Sequence, residues 1–416
     1  MTSAEIIAIG SELLTPSRID TNSLWLTERL NEIGIEVRQK TIVGDEPLRL
    51  QAAIEQGLTR SQLVITTGGL GPTEDDMTRQ CAANALKREL VFREDLLEAI
   101  SQRFSSMGYD MPAKNRVQAY LIDQAEVLPN NHGTAPGQWV RLQDRQLIIL
   151  PGPPKELQPM FNAHVLPRLA QIAGQMSVRR KILRVSGMGE SFMDELIAPI
   201  YTQYQNPQTA TLFNKTEVEV QLTAQGRDPA EADRLNDELA ARIAEKLGVA
   251  VFALNGESME EVVGKLLTMT GKTVAVAESC TGGLVAERLT EVSGASAYFM
   301  QGVVTYHNAA KVQLLDVPAE LIEAHGAVSA EVAEAMASGM RTRAGTDYAL
   351  STTGIAGPSG GSQQKPVGTV YIGYCDDRQT KSLHLRLPGD RNLIRWRASQ
   401  AALDYLRRQM LKQAPK

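Results

Sequence analysis

Cysteine is scarce in this chain: 416 residues carry three, Cys81, Cys280 and Cys375. An odd number at wide spacing makes no disulfide framework and points to a reducing compartment. Long apolar runs are missing as well. No stretch approaches the about 18 residues that cross a bilayer, and the opening MTSAEIIAIG has neither the basic region nor the apolar length of a secretory leader. A cytoplasmic protein with no membrane partner is therefore expected. The histidines, His132, His164, His307, His325 and His384, fall in no H-x-x-H spacing and the cysteines in no C-x-x-C, which argues against structural zinc. Charge of one sign does not dominate: 43 Lys and Arg are interspersed with 48 Asp and Glu, so there is no basic stripe and no nucleic-acid partner is expected. Internal repeats and low-complexity tracts are absent. So is G-x-G-x-x-G, which counts against a dinucleotide fold of the Rossmann type. What remains is an ordinary globular composition, 43% apolar, at a length that suits roughly three domains.

The densest signal is Thr273 to Gly283, TVAVAESCTGG. Thr273 to Ala277 reads as a buried strand, the next residues as a turn, and Leu284 to Leu289 as helix. Such a turn leaves its side chains at the carboxyl end of the strand, where unpaired helix N–H groups and the positive dipole end favour an oxyanion or phosphate. Ser279 stands where a nucleophile would be placed. Taken alone, the pattern is equally met by Ser279 or Thr281 capping the helix. Two later segments bear on that choice. In GVVTYHNAAK, residues 302–311, Val303 to Tyr306 reads as strand and Asn308 as the cap of a helix carrying Lys311 in its first turns. In TTGIAGPSGG, residues 352–361, a loop rich in glycine follows the strand Asp347 to Ser351. The crevice beyond the carboxyl ends of an open α/β sheet is the usual ligand site, so Ser279, Tyr306, Lys311 and the loop at Gly354 are expected to converge. Strands at Thr369 to Tyr374 and near Ser382 to Leu387 precede a long helix to Met410. Arg391 at its start suits a phosphate, whose oxygens its fork matches, or else pairs with an acid such as Asp390.

The N-terminal part alternates strand and helix: strand Ile6 to Ile9, helix Ser23 to Ile33 capped by Asp20-Thr21-Asn22, strand Val37 to Val43, helix Pro47 to Thr59, strand Leu63 to Thr67. That order predicts a parallel sheet covered by helices. GGLGPTEDD, residues 68–76, then brings bare backbone to the sheet edge, with Asp75 and Asp76 directly after it. Glycines that admit a phosphate and acids that hold a hard divalent cation are one reading. First-turn charges on a helix running to Leu86 are the other. Further helices are expected at Asp95 to Met107 and Asn115 to Tyr120, followed by the polar run of residues 129–137. After the strand Gln146 to Leu150, PGPPKEL puts Lys155 and Glu156 at a helix start on the same edge. Lys155 could neutralise a phosphate or simply be solvated.

From Ser177 the texture changes to half-exposed strands, Lys181 to Ser186 and Glu217 to Gln225, with helices Phe192 to Tyr204 and Pro229 to Leu247. No catalytic cluster falls here, and a spacer or self-association role is expected. The boundaries expected are 1–170, 177–255 and 258–416, the break before the third lying at Gly256-Glu257-Ser258.

AESCTGG, GVVTYHNAAK, HGAVS at 325–329 and TGIAGPSGGSQQKPVGTV at 353–370 together resemble the CinA family. GSELL at 10–14, DTNSLWL at 20–26, TTGGLGPTEDDMT at 66–78 and LPGPPKE at 150–156 resemble its first domain, so nearly the whole chain is covered. The resemblance implies a multidomain α/β protein: a molybdopterin-binding-like domain with ADP-ribose pyrophosphatase activity, a small α+β domain, and a nicotinamide mononucleotide amidohydrolase domain. It implies Ser279 as nucleophile, Lys311 as its base and Tyr306 as their support. Cys280, Thr281, Gly282, Gly283, Asn308, Thr353, Gly354, Gly357 and Arg391 would surround the substrate, with backbone N–H groups at Cys280 or near Gly354 facing the oxyanion. In the first domain it implies phosphates on Gly68, Gly69, Gly71 and Thr73, a pocket lined by Glu12, Asn22 and Lys155, and a divalent metal on Asp75 and Asp76. The amidase needs no cofactor. Small nucleotides are the expected ligands, and a homodimer the expected assembly.

Three functions fit: a bifunctional amidohydrolase and pyrophosphatase, an amidohydrolase whose first domain only binds a pterin or nucleotide, and a non-enzymatic role in competence or DNA damage. The acidic, stripe-free composition speaks against the third.

Overall fold

A computed structural model describes residues 3–172, 177–214 and 216–413. The chain falls into two compact units, Met1–Arg179 with Ala224–Arg234, and Arg180–Thr223 with Leu235–Lys416.

The first unit runs β1 (Ser3–Ile9), α1 (Thr21–Glu32), β2 (Glu36–Val43), α2 (Pro47–Arg60), β3 (Leu63–Thr67), α3 (Thr78–Leu86), β4 (Leu90–Phe92), α4 (Glu94–Ser106), β5 (Tyr120–Ile122), β6 (Glu126–Leu128), β7 (Gly137–Arg141), β8 (Gln146–Leu150), α5 (Pro154–Met160) and α6 (Leu166–Ile172). Its main sheet has the order β2-β1-β3-β8-β7-β6. The first four strands are parallel, β7 runs antiparallel to β8, and β6 antiparallel to β7. β1 and β3 are buried along their whole length, as parallel strands under two helical layers must be. Successive residues therefore serve opposite cores. Ile6, Ile65 and Ile148 pack with Leu26 and Leu30 of α1 and with Trp139, whereas Ile7, Val64 and Ile149 pack with Ile54 and Leu58 of α2. Asp20 caps α1, accepting from the Ser23 amide at 2.9 Å. Thr67 of β3 pairs with both Ala8 and Leu150, so three strand ends stop level.

Residues 177–253 carry β9 (Ser177–Ser186), α7 (Glu190–Tyr201), β10 (Gln208–Asn214), β11 (Glu217–Gly226), α8 (Pro229–Leu247) and β12 (Val251–Ala253), whose strands make a sheet of order β10-β11-β9-β12. Its core is Leu183, Val185, Val220, Met193, Ile197, Leu239 and Ile243. There follow α9 (Met259–Thr270), β13 (Val274–Glu278), α10 (Leu284–Glu291), β14 (Phe299–Val304), α11 (Asn308–Leu315), α12 (Ala319–His325), α13 (Ala330–Ala344), β15 (Tyr348–Gly354), β16 (Thr369–Cys375), β17 (Thr380–Arg386) and α14 (Arg391–Gln413). A capping box of Ser258 and Glu261 starts α9. The sheet order is β14-β13-β15-β16-β17. β13 lies parallel between β14 and β15, and Glu278 at its end pairs with Val304 and Thr352. The residues that follow on β13 and β14, Ser279 and Thr305, thus leave the sheet side by side, while β15 runs on beside them.

Several local expectations shift. β15 continues past Ser351 to Gly354 because Thr352 to Gly354 pair with Val370 to Ile372, so the glycine-rich segment loses its first three residues to the sheet. The acids at 74–76 precede α3 rather than filling its first turn, residues Ala113–Ala119 form a 3-10 helix, and His307 rather than Asn308 caps α11 through its Nδ1. Arg288 of α10 is buried and bonds Glu260 at 2.6 Å, Ser399 at 3.0 Å and Gln400 at 2.6 Å. Gln400 in turn donates to Glu217 of β11.

Close packing of α13 on α11 makes one glycine decisive. A Cβ on Gly339 would overlap the Leu315 carbonyl. Gly339→Ala should lower the urea unfolding midpoint by the equivalent of about 1–3 kcal/mol, the scale of an overpacked core. Gly189→Ala, where nothing lies within 4 Å, should leave it nearly unchanged.

Candidate functional sites

At the carboxyl end of β13 the chain turns through Ser279 to Gly283 into α10. The turn is held by Glu278, whose 1% exposed carboxylate accepts the amides of Gly283 at 2.9 Å, Val285 at 3.1 Å and Ala286 at 2.8 Å. This corrects the expected use of the helix end: its N–H groups carry the protein's own carboxylate and are not open to a ligand. Ser279 is not the cap either. Its amide donates to Thr352 O at 2.9 Å, and its hydroxyl faces Lys311.

Lys311 is 1% exposed. Its Nζ lies 3.4 Å from Ser279 Oγ and donates to the carbonyls of Thr305 at 2.8 Å and Tyr306 at 3.4 Å. No carboxylate pairs with it among the described residues. Burial holds its proton affinity below that of an ordinary lysine, with the neighbouring Cys280 pulling weakly the other way. Cys280 itself is buried and pushed up to about 12, chiefly by burial and further by Glu278, so its thiol is no nucleophile at neutral pH.

The remaining expected residues divide. Tyr306 is exposed, and its phenol meets Arg391 Nη2 at 3.0 Å instead of Ser279. Arg391 also donates to Gly357 O at 2.8 Å and does not pair with Asp390, which instead accepts the Leu393 amide. Gly282 and Gly283 supply left-handed backbone in the turn. Thr281 and Thr353 are buried with their hydroxyls committed, to Thr352 at 2.6 Å and to Ala327 O at 2.7 Å. Asn308 is exposed on the first turn of α11. Beyond Gly354 the Ile355 amide is taken by Thr369 O, whereas the Cys280 amide has only its own sulfur as an acceptor among the described residues, which leaves it the more available of the two expected donors.

Two residues of this site escaped the sequence. Glu278 was signalled by being the one charged residue closing an apolar strand. Arg395 stands one turn beyond Arg391 and bonds Thr281 O through Nε at 3.1 Å and Nη2 at 2.8 Å, tying α14 to the turn at Ser279.

In the first unit a cavity of about 400 Å³ opens at the ends of β1, β3 and β8. Glu12, Gly68, Gly69, Gly71, Asp75 and Asp76 line it, and so do Asp45 and Glu156, which the sequence did not single out as site residues. Asp76 Oδ2 accepts the Thr73 amide at 3.0 Å and the Thr73 hydroxyl. A Cβ at Gly71 would run into that carboxylate, which explains the glycine. Thr73 also holds the exposed Asp75 carboxyl below its usual range. Buried Arg79 fastens the turn from beneath through Leu70 O at 2.7 Å and Gly71 O at 2.9 Å. Burial pushes its pKa down to about 10, against the pull of Asp76. Asn22 lies behind the lining, bridging Thr67 and Gly152, and α5 presents Glu156 rather than the exposed Lys155. Among the described residues no three His, Cys, Asp or Glu side chains form a ready metal cage. The residues fit a hard cation only in the manner that takes one or two carboxylates and completes its shell with phosphate and water.

Comparison with known proteins divides the chain three ways. Residues 5–171 match the family described as a probable molybdopterin binding domain, 180–253 the damage-inducible protein CinA KH domain, and 256–410 the CinA C-terminal domain. The central KH kind was not recognised in the sequence, where G-x-x-G, its usual backbone clamp, is missing around Gly187-Met188-Gly189. Among relatives, a CinA-like protein of Solibacter usitatus is 48% identical over 407 residues, 98% of each chain. One of Koribacter versatilis is 47% identical over 98% of this chain and 100% of its own. Among solved structures, the competence/damage inducible protein CihA of Agrobacterium tumefaciens is 38% identical over 38% of this chain and 98% of that one, with a TM-score of 0.36. At such identity along the whole length, the chain belongs to the CinA family.

Proposed function

We propose that the chain is a bifunctional enzyme of pyridine-nucleotide recycling. Its C-terminal domain hydrolyses nicotinamide mononucleotide to nicotinate mononucleotide and ammonia. Its N-terminal domain hydrolyses ADP-ribose to AMP and ribose 5-phosphate. The observation that carries the first activity is the buried Lys311 amine, 3.4 Å from the Ser279 hydroxyl and without a carboxylate partner. Unprotonated, it takes the Ser279 proton as Oγ attacks the amide carbon. The oxyanion faces the Cys280 amide. Collapse passes the proton from Lys311 to the departing ammonia, and water, deprotonated by the same amine, then frees the acid. Arg391, whose described partners are both neutral oxygens, takes the substrate phosphate, and Tyr306 is drawn into that contact rather than into the proton path.

In the N-terminal domain Asp75 and Asp76 would hold a divalent cation, which supplies charge neutralisation and an activated water when bound. The glycine turn receives the phosphates. One observation favours a weaker reading, a domain that only binds its nucleotide: Asp76 is already engaged by Thr73. A homodimer in the cytoplasm is part of the proposal, and the three cysteines, all free and buried, support a reducing surrounding.

Ser279→Ala should abolish ammonia release from nicotinamide mononucleotide while Cys280→Ser retains most of it. The reverse pattern overturns the assignment.

Because burial lowers the Lys311 pKa, the amine gains activity as it loses its proton. kcat/KM should therefore rise with pH across a titration below that of ordinary lysine. Lys311→Arg, which stays protonated, should be nearly inactive. Arg391→Ala should mainly raise KM. A flat profile with an active Arg variant would reduce Lys311 to a binding charge.

Asp76→Asn should lower ADP-ribose hydrolysis by roughly a hundredfold or more, far beyond the ~0.3–1 kcal/mol of a helix-end charge. Chelator should mimic it, and melting temperature and deamidation should hardly change. Wild-type protein that never turns over ADP-ribose with any divalent metal would leave the binding-only reading.

A further inference from the structure

Away from the Ser279 site, the second unit holds a buried cluster of charge that no step above uses. Arg288 of α10 is its centre, with a side chain 3% exposed. Its guanidinium donates to Glu260 of α9 at 2.6 Å and to Ser399 and Gln400 of α14 at 3.0 and 2.6 Å. It also lies over the ring of Trp396, 4.5 Å from the centroid. The forked donors of arginine let one side chain fix three helices together. Buried ion clusters are often no more stabilising than apolar packing of the same volume. What they add is direction, and here the direction bears on the turn at Ser279.

Both α10 and α14 grip that turn. α10 does so through the amides that hold Glu278, the last of them from Val285 and Ala286, and α14 through Arg395 on Thr281 O. Arg288 is one turn past Val285 on α10, and Ser399 one turn past Arg395 on α14. The cross-tie therefore lies directly behind both grips, and the turn keeps its shape while the two helices keep their spacing.

The tie continues into the central domain. Gln400 Nε2 donates to one oxygen of Glu217 at 3.1 Å, and the other oxygen takes Arg184 at 2.6 Å. Further along α14, Arg407 donates to Val249 O at 2.5 Å and Arg408 to Ser186 O at 3.3 Å. The central domain thus holds α14 at Gln400, Arg407 and Arg408, and the first of these is shared with Arg288.

Resting on the reading of Ser279 as the nucleophile, we propose that Arg288 is a positioning residue for the amidase, and that the central domain completes it through Glu217 and Gln400. Arg288 touches no reacting atom. It sets the spacing of α10 and α14 and, through them, the distance from Ser279 Oγ to Lys311. Lys311 stands on α11, outside the cluster, so a shift of the turn moves the serine and leaves the base in place. This gives the central domain a task besides spacing.

The test is steady-state ammonia release from nicotinamide mononucleotide by full-length variants, with melting followed by circular dichroism. Arg288→Lys keeps the charge but offers a point in place of a fork, so it cannot serve α9 and α14 together. Gln400→Glu sets a carboxylate against Glu217, and adding Glu217→Gln restores the bond with donor and acceptor exchanged. A cavity of about 90 Å³ bounded by Arg184, Glu217, Arg288 and Gln400 leaves room for that exchange. Arg288→Lys and Gln400→Glu should each lower kcat about tenfold to a hundredfold, the scale of a misplacement of up to ~1 Å. KM should hold, because Arg391 and its partners lie outside the cluster. The double exchange should recover most of the lost kcat. Folded variants that turn over at the wild-type rate overturn the proposal, as does a loss of kcat that merely follows loss of folded protein or that the exchange fails to repair. Wild-type protein that releases no ammonia overturns the reading of Ser279 and the proposal with it.

Discussion

The C-terminal domain is organised around one electrostatic constraint: a lysine amine buried among neutral oxygens. Moving an ammonium out of water costs several kcal/mol even after relaxation. Lys311 has the carbonyls of Thr305 and Tyr306 and the Ser279 hydroxyl to offset that cost, and no carboxylate. The environment therefore makes the neutral amine, the form able to accept a proton, easier to reach than in an exposed lysine. A carboxylate at the same distance would have produced an ion pair and no base. The nearest candidate, Glu278, is kept out of this role by the three amides of the α10 start that hold its carboxylate.

Glu278 thereby does two things. It satisfies donors that would otherwise be orphaned at a buried helix end, and it fixes the turn in which Ser279 sits. Its position is dictated by the sheet, because β13 is flanked on both sides and its last residue is in register with Val304 and Thr352. From the far side Arg395 holds Thr281 O. The turn at Ser279 is therefore clamped between a strand end, a helix start and α14, which is the kind of rigid setting that the proposed chemistry requires.

Much of this was legible. Period-two and helical patterns placed β13, α9 and α14, and the strand order predicted sheets whose carboxyl ends collect Ser279, Lys311 and the glycine turn at 68–71. Sequence could not show which polar groups were already committed. Thr353 looks as available as Ser279 in the chain, yet its hydroxyl belongs to Ala327. Asp390 looks like the partner of Arg391 and instead caps the first turn of α14. Lys155 and Glu156 are adjacent, and only the rotation of α5 decides that the acid reaches the cavity. The strand β15 overran its predicted end because pairing with β16, a long-range event, outweighed the local preference of a threonine-glycine segment for a loop.

The two sites differ in a way that bears on what each can bind. Around Ser279 the cations Arg391 and Arg395 meet only neutral oxygens, so under the proposed function a phosphate monoester finds charge there that is not already neutralised. Around the glycine turn of the first unit Glu12, Asp45, Asp75, Asp76 and Glu156 share one cavity, and Arg79 is turned beneath the loop toward its carbonyls. These acids are exposed or half-buried, so their mutual repulsion is screened, yet a pyrophosphate at the glycine turn would still meet carboxylates of its own sign, which a bound cation would offset. Under the proposed function, the first domain is expected to need a cation and the last to do without one, according to which sign of charge the chain left unpaired at each sheet edge.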